Sequence, residues 1–242
     1  MLIIPAIDIR GGNCVMLTQG KFEAETIYSK DPVFIAKMFE AQGAKRIHII
    51  DLDGAFAGTP QNLSILKKIK ETVSVELEFG GGIRKIETIE KIADMGIDKI
   101  ILGTVAVFNL DIVKEAVKKF KEKIILAIDV YDDKIAIGGW KEITQYDALE
   151  FAKKMADMGV KEIITTDIKR DGMMEGPNIE GIKKLCKSGL SVIASGGVST
   201  IEDVKKISEL KKYGVTGMII GKALYNDSIK LDEAIKTCSQ KE

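Results

Sequence analysis

Two stretches of this 242-residue chain finish an apolar run on an acid: IIPAIDI at 3–9 and IILAIDV at 124–130. Asp129 follows Asp8 by 121 positions, half of the 242. A matched pair of carboxylates can divide proton transfer, one as base and one as acid, when their surroundings separate their affinities for the proton. A carboxyl that holds its proton near neutral pH needs burial or a neighbouring like charge. The bland alternative, in which each aspartate only caps the following loop, accounts for one such ending but not for the echo.

A second set of residues suits phosphate. FGGGIR (79–84) and ASGGVS (194–199) each precede a helix-like segment, where bare backbone N–H groups suit an anion. LGT (102–104) and IGKA (220–223) complete two nests, giving Gly81, Gly82, Gly103 and Thr104 in one and Gly196, Gly197, Gly221 and Lys222 in the other. The expectation is a small molecule with a phosphate at each end and its middle between Asp8 and Asp129. Thr166, beside Asp167, can reach a carboxylate or a substrate hydroxyl. Trp140, the only tryptophan, lies in DVYDDKIAIGGW, a segment with the pattern of a small hairpin that can lay an aromatic face over a site. Arg84 either backs the first phosphate or pairs with a surface acid. The single histidine, His48, reads as a structural residue inside a strand.

These residues need a frame to bring them together. Short β-branched runs fall at roughly 2–7, 47–50, 75–79, 99–102, 123–128, 162–166, 191–194 and 217–220. Amphipathic segments such as DPVFIAKMFEAQG separate them, several ending in a glycine suited to a helix C-cap. Eight strands alternating with eight helices imply parallel pairing through right-handed crossovers, and the length favours a closed (β/α)8 TIM barrel over an open sheet. In a barrel the first and fifth strands face each other, and sites form at strand C-termini. GAKRIHIIDLDGAFAGTPQNL (43–63) also lies over GVKEIITTDIKRDGMMEGPNI (159–179), pairing Asp51 with Asp167 and, after a two-residue insertion, Gly54 with Gly172. The chain is therefore expected to be one domain, 1–242, built from duplicated half-barrels of roughly 1–121 and 122–242.

Composition removes other classes. Lys plus Arg and Asp plus Glu number 36 each, so nothing draws a nucleic acid or an anionic membrane. One histidine and three scattered cysteines (Cys14, Cys186, Cys238) make no zinc site or disulfide framework. No apolar run reaches the roughly 18 residues that cross a bilayer. The expectation is a cytoplasmic monomer with no metal.

The motifs IIPAIDI, HIIDLDGAFAGTPQN, FGGGIR, LGT, AIDV, GGW, TTDIKRDG, GPN, ASGGV and IGKALY, in this order across the whole chain, resemble the ProFAR isomerase family of histidine biosynthesis. That resemblance implies a cofactor-free Amadori rearrangement of an aminoaldose bisphosphate into its aminoketose, PRFAR. Asp8 then matches the family's general base, Asp129 its general acid and Thr166 a residue assisting the acid. The two nests match its phosphate sites. Met16 stands where many relatives have a basic residue, Glu78 where an amide is common and Met173 where a small hydroxyl residue is common. Glu78 raises the affinity of a neighbouring carboxyl for its proton if it points inward. Three alternatives stay open: the cyclase of the following step, a dual-specificity isomerase that also takes phosphoribosyl anthranilate, and a non-catalytic phosphosugar-binding barrel.

Overall fold

The computed structural model describes residues 1–239; positions 240–242 of the expected second half lie outside the described residues. Eight parallel strands form a closed ring: β1 (Leu2–Arg10), β2 (Arg46–Asp51), β3 (Glu76–Gly80), β4 (Lys99–Leu102), β5 (Ile124–Tyr131), β6 (Glu162–Asp167), β7 (Ser191–Ser195) and β8 (Val215–Ile220). Each pairs with its neighbours in sequence, and β8 returns to β1 with Ile4 beside Ile219. This is the expected (β/α)8 TIM barrel.

Alternation along the strands builds two cores. Outward residues such as Ile7, Ile47, Leu77 and Ile163 meet the helices in the larger one. The helix Ile86–Asp94 buries Ile89 and Ile92, one turn apart on the face turned to the barrel. Each fully buried isoleucine contributes about 1.5–3 kcal/mol. Inward residues Ile4, Ala6, Ile101, Ile125, Ile164, Ile193 and Ile219 fill the barrel itself. Helix starts are fixed locally: Asp31 accepts from the Val33 and Phe34 amides with Pro32 at the first turn, and Thr200 and Asp203 form a capping box.

The structure extends the sequence reading in three places. β1 and β5 run past Asp8 and Asp129, because each continues into an antiparallel hairpin above the barrel rim. The hairpin within 129–140, where β5 turns back into Lys134–Ile137, was expected; the further strand Glu142–Asp147 paired to it was not. Its counterpart after β1, Asn13–Thr18 with Lys21–Ser29, was not. Short helices Leu52–Ala57, Thr104–Phe108 and Lys222–Tyr225 add to the expected eight, each following a strand end at the mouth. No described helix is long and apolar enough to cross a membrane.

Candidate active site

At the C-terminal end of the barrel lies a cavity of about 290 Å³. Asp8, Asp129 and Thr166 line it, as do Gly81, Gly82, Gly103 and Thr104 on one side and Gly196, Gly197, Gly221 and Lys222 on the other. Arg84 and Trp140 also reach it, so every residue singled out for chemistry meets in one place.

Asp8 sits on β1 beside Ile50 of β2 and Val15 of the first hairpin. Its carboxyl is ringed by protein while one face stays open to the cavity. Burial pushes its pKa up to about 6, and positive charge on His48 works in the opposite direction. Asp129 lies next to Thr166 in the β5–β6 register. Burial raises its pKa as well, opposed by hydrogen bonds from Trp140 and Thr166 and by His48. The Trp140 indole Nε1–H donates to Asp129 Oδ2 at 2.8 Å. The same ring lies over Gly20 in the turn of the first hairpin, where a methyl group would meet Cε3 at 2.6 Å. Trp140 thus links the loops after β1 and β5 and touches an acid.

A third carboxyl, Asp171, shares the cavity and was missed by the sequence reading. Its pKa is pushed up to about 7, first by burial and then by the charges of Asp8 and Asp129, against Lys222 and His48. A signal existed: aligning Gly54 with Gly172 also aligns Asp53 with Asp171. The halves then diverge. Asp53 accepts from the Gly11 amide at 2.7 Å, whereas the inserted pair before Asp171 turns that residue inward.

Backbone crowding accounts for the glycines before any ligand is invoked. A Cβ on Gly82 would lie 2.3 Å from the Gly54 carbonyl oxygen, and one on Gly197 2.4 Å from that of Gly176. Both have positive φ, 74° and 81°. Gly103 and Gly221 differ: each precedes a short helix with no side-chain cap, which leaves amides free at the cavity wall. Thr104 Oγ1 accepts from the Gly138 amide at 3.0 Å, and Lys222 Nζ donates to the Gly172 carbonyl at 2.8 Å. Arg84 lies over Gly58, where a methyl would meet its Nη1 at 2.6 Å. Met16 covers Gly221, where an added methyl would sit 2.8 Å from its Cε.

Residues 2–230 match the model of the histidine biosynthesis protein family. The chain belongs to that family. Among curated members similar to it, proteins of Clostridium botulinum, Desulfatibacillum aliphaticivorans and Persephonella marina are 47%, 48% and 47% identical. The matches cover 98%, 97% and 96% of this chain, and 97%, 94% and 96% of those proteins. Each relative is named 1-(5-phosphoribosyl)-5-((5-phosphoribosylamino)methylideneamino) imidazole-4-carboxamide isomerase. Glu78 does point inward, but its charge is taken up by His48 and Arg46.

Proposed function

We propose that the chain catalyses the aldose–ketose isomerisation of ProFAR to PRFAR in histidine biosynthesis. The observation that carries this reading is a cavity with half-buried carboxyls at its floor and a glycine-lined wall on either side. The two walls are assigned to the substrate's terminal phosphates, held by Gly81, Gly82, Gly103 and Thr104 and by Gly196, Gly197, Gly221 and Lys222, with Arg84 backing the first. The middle of the substrate then lies across Asp8 and Asp129, under Trp140.

In this assignment Asp129, fixed by Trp140 and Thr166, protonates the ribose ring oxygen, and the ring opens to a Schiff base. Asp8, ionised above a pKa of about 6, removes the proton from C2′ and leaves an enolamine. Protonation at C1′ and loss of the enol proton give the aminoketose, so no atom is gained or lost overall. Asp171, half-protonated near pH 7, is the group through which Asp129 regains its proton.

The test is an absorbance assay with ProFAR, alone and coupled to cyclase plus ammonia. Asp8→Asn and Asp129→Asn should each lower kcat by about 100-fold or more while ligand binding persists. Direct conversion of the ketose with ammonia, and none of ProFAR, would identify the cyclase step instead. Ligand binding without any turnover in the wild type would leave a phosphosugar-binding barrel.

A further inference from the structure

A polar column runs down one side of the otherwise apolar barrel interior. One layer beneath Asp8, His48 of β2 lies beside Ala6 of β1 and Glu78 of β3. His48 Nδ1 is 2.6 Å from Glu78 Oε1. Glu78 is completely buried, and the Arg46 Nη1 group donates to its other oxygen at 3.4 Å. Arg46 also reaches Glu76 at 3.0 Å and Glu162 of β6 at 3.2 Å, and Lys99 of β4 lies 3.9 Å from Glu162. The column ends at the floor of the barrel.

The arrangement fixes the histidine. An ionised carboxylate can only accept, so Nδ1 carries the hydrogen of that contact. His48 also lines the cavity, so its other side is turned toward the carboxyls. Glu78 stabilises positive charge on the ring, and Arg46 keeps the buried carboxylate from being left uncompensated. The charged groups around His48 are Asp8 from β1, Asp129 from β5, Asp171 and Lys222 from the loops after β6 and β8, and Arg46 and Glu78 beneath it. Positive charge on His48 would favour the ionised form of all three cavity acids.

We infer that His48 and Glu78 form a positioning dyad, in which Glu78 fixes the His48 imidazole beneath the cavity and the ring so held tunes Asp8, Asp129 and Asp171. Glu78 acts through His48, and Arg46 braces Glu78. The inference rests on the isomerase reading for its kinetic test but not for its spectroscopic one.

Because His48 is the only histidine, the Nδ1 and Nε2 pair of a [15N]histidine-labelled protein is a single imidazole signal set. In Glu78→Gln the ring loses the carboxylate that holds its Nδ1 side, and that signal is expected to shift from its wild-type position. In the same variant the acid limb of kcat/KM is expected to move up by about one pH unit, the size of effect that one nearby charge exerts. His48→Gln should move the limb by a similar amount, and adding Glu78→Gln to it should move it no further. It also leaves the Arg46–Glu78 contact intact, which keeps the test available if Glu78→Gln folds poorly. A lowered melting temperature with an unmoved acid limb and an unchanged imidazole signal would overturn the dyad. An inactive wild type that still shows the imidazole difference would overturn the isomerase reading and leave the dyad standing.

Discussion

Asp8, Asp129 and Asp171 crowd one cavity floor, and their proton affinities belong to the cluster as much as to each residue. Asp8 must be ionised to act as base, so kcat/KM should rise as pH climbs through about 6. The protonated partner is lost as pH passes about 7, which makes the profile a narrow bell. In Asp171→Asn the alkaline limb is expected to move upward; its persistence would assign that limb to Asp129. The first two acids were legible because strand periodicity carries each to a known end of a known strand. Asp171 was not, since its place is set by distant contacts in an irregular loop, such as the Gln19 amide donating to the Asp171 carbonyl at 3.1 Å. His48 reads as one more strand residue until the register puts Glu78 beside it.

Elements carry the next level of control. Asp51 ends β2 fully buried, and its carboxylate accepts from the Gly54, Gln61 and Asn62 amides and from the Asn62 side chain. Asp167 repeats the device on β6, with Lys169 N–H and Asn178 Nδ2 as donors. Asp51→Ala strands several buried donors at once and should cost about 3 kcal/mol or more in chemical denaturation. Gly81 and Gly82 lie directly against the loop that Asp51 holds, so ligand affinity should fall with stability. An Asp51→Ala protein as stable as the wild type would refute the clamp. Such pairs were visible in the sequence as a repeat, though not as a hydrogen-bond network. The hairpin after β1 escaped because its second strand carries Lys21, Glu23 and Glu25 and from Glu23 on is exposed or half-buried, unlike the buried β-branched runs of the barrel.

For the molecule as a whole, the raised carboxyls mean that the site works against the fold. Asp8 and Asp171 bind protons more tightly folded than unfolded, so the folded state holds more protons between about pH 4 and 7. Stability should therefore fall as pH rises through that window and level off above it. Because the carboxyls keep a face open to the cavity, the loss is roughly 1–2 kcal/mol per group. Asp8→Asn should raise the melting temperature at neutral pH while abolishing turnover; an unchanged or lower value would contradict the assignment. The ring of strands and the cavity's position at their C-terminal ends followed from alternation and strand count. The polar column inside the barrel did not, because inward charges on separate strands become neighbours only through register. That register has a kinetic consequence. Asp8 is paired with Val15, and Asp129 with Ala136, so each acid belongs to a ladder shared by the barrel and the base of a hairpin. Breathing of the covering segments must therefore start at their outer strands and turns. The two acids should therefore show the slow amide exchange of the barrel wall, and the hairpin tips above them the faster exchange.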